Sequence, residues 1–200
     1  FCAFSKSTGA KKLRGASYLL ELEEIQNRVR EAIRRRATEV CLQGGIHPKF
    51  DGNYYLDVIK AIRKVSPDIH IHAFSPLEIF QGAQTLGLTL EEYLPILKEA
   101  GLNSLPGTAA EILHDDVRDI ICPDKLNTAE WLSVMDAAHS CGLKSTATIM
   151  FGHVETYDHI AEHLINIKNQ QIKSGGFTEF VPLPFVAHEA PMSLRGQSRS

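Results

Sequence analysis

Amphipathic helical stretches alternate with short apolar segments along almost the whole chain, and this alternation limits the fold more than any single motif. From Tyr18 onward, Leu22, Ile25, Val29, Ala32 and Ile33 fall at helical spacing, with charged residues opposite, up to Arg36. Thr38 to Gln43 then reads as a strand, closed by Gly44-Gly45. A second helix is expected over about Asn53 to Lys64, with Tyr55, Val58, Ile59 and Ile62 on one face. Pro67-Asp68 turns the chain into a strand from Ile69 to Phe74, which Ser75-Pro76 stops. Helical pattern returns after Pro76, and Thr89-Leu90-Glu91-Glu92 has the form of a capping box. Pro95 is expected to kink that helix or shift its start, and Gly101 to end it in the left-handed conformation.

Leu102 to Leu105 is a short strand, stopped by Pro106-Gly107. A helix follows from Asn127 or Thr128 to Gly142, then a strand from Lys144 to Phe151, closed by Gly152. Thr156 caps a helix to about Lys173, and Phe177 to Val181 is a last strand, ended by Pro182-Leu183-Pro184. Five strands alternating with at least five helices imply an α/β fold of parallel strands joined by helical crossovers. The strands are apolar with little strict alternation, as in a sheet covered by helices. Ala100-Gly101-Leu102 and Cys141-Gly142-Leu143 repeat one junction of helix end, glycine and strand start. With 200 residues the chain is too short for an ordinary eightfold barrel, and can form a partial barrel or an open doubly wound sheet.

Charge narrows the partners. The net charge is -3 with both signs interspersed, which gives no reason to expect nucleic acid or an anionic membrane as partner. The basic run Arg34-Arg35-Arg36 closes a helical pattern, where cations favour the helix C-terminus. No apolar run reaches the length of a membrane span, and no signal peptide is visible. Cys2, Cys41, Cys122 and Cys141 lie far apart with no secreted disulfide framework, so a reducing, cytoplasmic compartment is expected. The chain opens on Phe1 rather than Met, and is expected to be an N-terminally truncated piece.

In parallel α/β folds, function sits at the carboxyl ends of the strands. Those ends are rich in Gly, His and Thr: Gln43 to His47, Phe74-Ser75, Leu105 to Thr108, Thr148 to His153, and Val181 to Pro184. Gly44-Gly45 can bring backbone close to a ligand, or simply make a tight turn. His70 and His72 share one strand face and could hold zinc with His47 or His153, or form a hydrogen-bonded interior. Glu111, just past Pro106-Gly107, could bind hydroxyl or ammonium groups, or serve as an acid at a helix N-terminus. His153 and Glu155 follow Gly152 and admit the same two readings. Cys2, between Phe1 and Phe4, is either a small buried hydrophobe or a thiolate ligand in a loop folded around a cluster. Cys41 is expected inside a strand core, and His114, His139, His159 and His163 are expected to be structural.

Several stretches together resemble one family. They are Phe1-Cys2-Ala3-Phe4-Ser5, Thr38 to Pro48, His70 to Pro76, Leu105 to Leu113, Ile121 to Lys125, Thr146 to His153 and Gly175 to Phe185. In this order they look like the radical S-adenosylmethionine enzymes that make the deazaflavin chromophore FO, at their 4-hydroxyphenyl transferase component. The menaquinone-pathway aminofutalosine synthase and cyclase share parts of the pattern and are the alternative within the class. A zinc-dependent barrel hydrolase using His70 and His72 is the alternative outside it. The wording of Phe185 to Gly196 is more like the fused, two-module FO synthases.

The resemblance implies a partial (βα)6 TIM-type barrel over residues 1–187, followed by a polar tail, 188–200, leading to a further C-terminal region. It implies a [4Fe–4S] cluster held by C-x3-C-x2-C, with Cys2 as the third cysteine. The other two would lie three and seven residues before it, together with the first barrel strand. The piece by itself would then be inactive. Phe1 matches the aromatic position that packs the adenine, and Gln43, Gly44 and Gly45 match the strand end that binds the methionine amino group. Thr148, Met150 and Gly152 match the strand end that lines the adenosine site. The implied reaction cleaves S-adenosylmethionine to a 5′-deoxyadenosyl radical, which takes a hydrogen atom from L-tyrosine. The Cα–Cβ bond breaks, and the 4-hydroxybenzyl fragment joins C5 of 5-amino-6-(D-ribitylamino)uracil. A low-potential electron donor and a companion radical enzyme, fused or separate, are the implied partners. His72, Glu111 and His153 are the candidate catalytic residues on the rim, with His47 beside them.

Overall fold

The structure, a computed structural model, describes residues 18–47 and 49–187. Its strands are β1 (Glu39–Leu42), β2 (His70–Ala73), β3 (Ser104–Leu105), β4 (Lys144–Phe151) and β5 (Phe177–Pro184). They form one parallel sheet in chain order, β1-β2-β3-β4-β5. The helices are α1 (Leu22–Arg34), α2 (Gly52–Val65), α3 (Pro76–Leu86), α4 (Leu90–Ala100), α5 (Asp115–Ile121), α6 (Thr128–Ser140) and α7 (Tyr157–Ser174). Parallel neighbours in sequential order, joined by right-handed crossovers, place the helices on one face of the sheet. This is an arc of a (βα) barrel, as the resemblance leads one to expect, rather than a doubly wound sheet.

Local chemistry sets the helix bounds. Ser75, Thr89, Asn127 and Thr156 each accept the backbone N–H three residues on, and the residue there returns a bond in every case. Pro95 does not shift the start of α4, which still begins at the Thr89 cap and continues to Ala100. The carbonyl that Pro95 cannot bond belongs to Glu91, on the exposed side. Three helix-to-strand junctions turn on a left-handed glycine, Gly101, Gly142 and Gly175. The third extends the junction seen twice in the sequence.

The strands alternate more strictly than the sequence suggests. Ile71, Ala73, Leu105, Ala147 and Ile149 are buried, and most of them join the helix-covered core. Into that core the helices send Ile59, Ile62, Leu94, Leu97, Trp131 and Met135, all fully buried. Each such side chain stabilises the fold by roughly 1.5–3 kcal/mol. The positions between, among them His70, His72 and Thr146, are half-buried and polar. Helices cover one face only; the other is the polar inner face of the arc.

The last strand also runs further than expected. β5 pairs with β4 through Pro182 and Pro184, opposite Ile149 and Phe151. Phe185 donates its N–H to the Phe151 carbonyl. In a regular strand positions 182 and 184 therefore direct their amide sites away from β4, where proline costs no ladder bond.

Candidate active site at the carboxyl rim of the sheet

The β1 end is organised by a residue from another element. Glu78, in the first turn of α3, is 3% exposed. Its Oε1 accepts the Gly44 N–H at 3.0 Å, and its Oε2 accepts the Ser75 N–H and hydroxyl, both at 2.8 Å. Burial pushes this carboxyl up to about 7, against the lowering effect of its Ser75 and Gly44 donors. One carboxylate thus ties the β1 end to the β2 end. The next residue, Gly45, is open: no atom lies within 4 Å of where its Cβ would stand. Among the described residues no hydrogen bond reaches its backbone. Gln43 is exposed beside it, with its amide 3.7 Å from the Cys41 sulfur.

The β3 and β4 ends are stitched together by Gly107. Its N–H donates to Thr146 Oγ1 at 2.8 Å, and its carbonyl accepts the Thr148 hydroxyl at 2.6 Å. A Cβ on Gly107 would overlap the Thr146 carbonyl and the Ala147 backbone. Thr148, expected at the adenosine site, therefore spends its hydroxyl on this seam. Met150 stays half-buried on the inner face, and its N–H donates to the Glu111 carbonyl at 2.8 Å.

The loop after Gly107 is held from beneath by Arg118. This guanidinium is 2% exposed and donates to the carbonyls of Ala109, Ala110, Ile112 and Leu126. Ala109 and Glu111 have positive φ, 60° and 46°, a conformation that side-chain-bearing residues adopt at a cost. The loop presents Glu111, 8% exposed, whose Oε1 pairs with Lys125 Nζ at 2.9 Å.

At the β4 end, Gly152 has φ 93° and open space around it. His153 is turned inward and 1% exposed. Its Nε2 lies 2.9 Å from the Met150 carbonyl, and its Nδ1 2.8 Å from the Val154 N–H and 3.1 Å from Glu155 Oε2. Burial raises the Glu155 carboxyl, but the N–H groups of Gly152 and His153 outweigh it and hold the group below its ordinary value. Both imidazole nitrogens of His153 are committed to shaping this turn.

Deeper on the inner face, His70 Nε2 and His72 Nδ1 each stand 2.7 Å from the Ser104 hydroxyl. Glu39 Oε2 lies 3.6 Å from His70 Nε2. Cys41 is opposite His72 in register and exposed on the inner face, not inside a strand core as expected, because β1 alternates inward from Glu39. Among the described residues no three His, Cys, Asp or Glu side chains are grouped to hold a metal ion. His47 packs against Phe50 with its ring tilted by 33° and its Nδ1 accepting the Lys49 N–H, and it completes no zinc site with His70 and His72. His139, bonded to Ser174 and Ser145, and His163, bonded to the Leu113 N–H, are structural as expected. Burial lowers both to about 4.

Cys2 and Phe1 lie outside the described residues. Glu78, Ser104 and Arg118 were not among the expected site residues. Ser75-Pro76-Leu77-Glu78 carries a capping-box signal as legible as the one at Thr89. Ser104 and Arg118 carry no such local signal; their partners are distant in sequence.

A sequence model described as the radical SAM superfamily matches residues 1–165. The chain is 50% identical over 196 residues to the 5-amino-6-(D-ribitylamino)uracil–L-tyrosine 4-hydroxyphenyl transferase of Methanothermobacter thermautotrophicus, covering 98% of this chain and 52% of that protein. It is 45% identical over 199 residues to the FO synthase of Streptomyces avermitilis, covering all of this chain and 23% of that protein. The chain thus spans about half the length of the curated transferases it matches. Among solved structures, methylornithine synthase superimposes with a TM-score of 0.69 at 14% identity, over 88% of this chain and 48% of that one. That likeness concerns the fold alone.

Proposed function

The chain belongs to the radical SAM superfamily, and we propose that it is the barrel part of a transferase that joins the 4-hydroxybenzyl group of L-tyrosine to 5-amino-6-(D-ribitylamino)uracil. The observation that carries this reading is identity of 45–50% over nearly the whole chain to proteins named for that transfer or for FO synthesis. The family's chemistry runs on a [4Fe–4S] cluster and S-adenosylmethionine. When bound, the two supply the radical that takes a hydrogen atom from tyrosine.

The residues of the rim fit such a cofactor. Among the described residues Gly45 offers unpartnered backbone and no side-chain obstruction, and Glu78 fixes the preceding amide of Gly44, so the edge is preorganised for a zwitterionic amino-acid group. Gln43, Gly44 and Gly45 would hold the methionine end, and Met150 and Gly152 the adenosine end. Thr148 serves the same end indirectly, by holding Gly107. Cys2 would ligate the cluster, with Phe1 against the adenine.

Glu111 and Lys125 form an ion pair on the rim, and each partner can be exchanged for the ammonium or carboxylate of tyrosine. His72 lies half-buried on the inner face, where the aromatic ring and the uracil would meet. His153, with both nitrogens engaged in its own turn, acts by positioning the Gly152 edge. The electron donor is a low-potential carrier, and the product goes on to a companion radical module, fused or separate. No helix among the described residues is long and apolar enough to cross a membrane. The proposed place of action is the cytoplasm.

The test is an anaerobic assay of polypeptide that carries all three cluster cysteines, with reductant, S-adenosylmethionine, tyrosine and the diaminouracil. 5′-Deoxyadenosine and an aryl–uracil adduct are expected only when both substrates are present. Turnover of menaquinone-pathway substrates in place of these would move the chain to the related enzymes.

A further inference from the structure

The proposed chemistry leaves the His70–Ser104–His72 cluster without an assignment. A serine hydroxyl has one proton, yet Ser104 Oγ lies 2.7 Å from a nitrogen of each imidazole. With both rings neutral and both contacts satisfied as a chain, one nitrogen donates to the hydroxyl and the other accepts from it. Glu39 breaks the symmetry. Its Oε2 lies 3.6 Å from the same His70 Nε2 that faces Ser104, and a carboxylate can only accept. The proton is therefore favoured on His70 Nε2, which donates to Ser104, and the Ser104 hydroxyl turns its own proton to His72 Nδ1. His72 then carries its proton on Nε2, for which the described residues supply no partner.

Surroundings agree with a neutral ring. Burial, the largest influence, lowers the His72 pKa, while the carboxylates of Glu39 from β1 and Glu179 from β5 oppose it; a protonated His70 would lower it further. Cys41, opposite in register, lies exposed on the same inner face. A neutral imidazole N–H set deep on a polar inner face is a fixed donor, suited to an oxygen acceptor on a flat ring.

We propose that the hydrogen-bonded pair His70 and Ser104, biased by the nearby Glu39 carboxylate, fixes His72 as an Nε2–H donor to a ring oxygen of the substrate. That oxygen is the phenol of tyrosine or a carbonyl of the pyrimidinedione, which share acceptor chemistry; the substrate half of the proposal rests on the transferase reading. Ser104, His70 and Glu39 are positioning residues, acting through His72.

The experiment is 15N NMR of histidine-labelled protein that holds its oxidised cluster, with the His72 signals assigned by H72Q. Near neutral pH the expected pattern is a pyridine-type Nδ1 and a pyrrole-type Nε2. Ser104→Ala should shift protons towards Nδ1, and Ser104→Thr should retain the native pattern. In separate titrations, S104A should bind either tyrosine or the diaminouracil about tenfold more weakly, with the other unchanged, which identifies the oxygen. A protonated Nδ1 in the native protein, a pattern unchanged in S104A, or native affinity for both ligands would overturn the proposal. If S104A does not fold, Glu39→Gln at the exposed start of β1 serves instead, with loss of the Nε2 bias expected and its retention contrary. The tautomer is read without substrate. A wrong tautomer therefore overturns the relay whatever the substrate, whereas a correct one with no binding of either ligand by native protein overturns the transferase reading.

Discussion

Glu78 carries two tasks on one carboxylate, and they pull its proton in opposite directions. Three donors from Gly44 and Ser75 favour the charged form, while 3% exposure favours the neutral one, and burial prevails with a value of about 7. Because the folded value lies above the ordinary 4.5, the folded state binds the proton more tightly than the unfolded chain. The contribution to stability is complete below about 4.5 and is lost as pH rises through 7. Stability measured by denaturant between pH 5 and 8 should fall with rising pH, with the share due to Glu78 bounded by roughly 3 kcal/mol. E78Q should flatten that slope. It should also set an amide N–H against a backbone donor, costing about 1–3 kcal/mol, and weaken S-adenosylmethionine binding through Gly44. The site was partly legible here. Gly44 and Gly45 stood out because glycine pairs at strand ends are visible in any sequence, whereas the acid that holds Gly44 lies 34 positions away. Its capping-box spacing with Ser75 could have drawn attention to it, but not to its bond with β1.

Among the elements, the loop between β3 and α5 depends on two supports, each with its own test. Arg118 satisfies carbonyls at Ala109, Ala110, Ile112 and Leu126, so R118M should leave these buried acceptors unpaired. A loss of roughly 3 kcal/mol or more in equilibrium unfolding is expected, with faster hydrogen exchange in residues 109–113. R118K should not restore it, because an ammonium cannot reproduce the planar fork. Gly107 is the seam between β3 and β4, and G107A must push the strands apart; a loss of about 1–3 kcal/mol is expected in the same measurement. Periodicity and punctuation exposed most of the architecture: the helix caps at Thr89 and Thr156, the glycine-closed junctions and the full extent of β4 all follow from local patterns. Two features did not. Pro182 and Pro184 read as the end of β5, because sequence does not say which edge an amide faces. The alternation of the strands was also missed, because the burial of the residues between His70, Thr146 and their neighbours is set by helices elsewhere in the chain.

At the scale of the whole molecule, the arc divides its labour by face: helices bury the outer side, and the inner side and carboxyl rim remain polar, with uncrowded glycines at Gly45 and Gly152. That division suits a reaction in which the cofactor supplies the reactive species and the protein orients two polar substrates. Cys2 is proposed as a ligand only through family resemblance, since one thiol between two aromatics gives no signal of its own. The central claim is transfer of the tyrosine aryl group. It is tested most directly with tyrosine labelled with 13C in the ring, turned over anaerobically with unlabelled diaminouracil and S-adenosylmethionine by protein holding its cluster, and followed by mass spectrometry. The account predicts a uracil adduct heavier by all the labelled ring carbons, formed together with 5′-deoxyadenosine. Formation of 5′-deoxyadenosine with an unlabelled uracil, or with the label remaining in intact tyrosine, would contradict it.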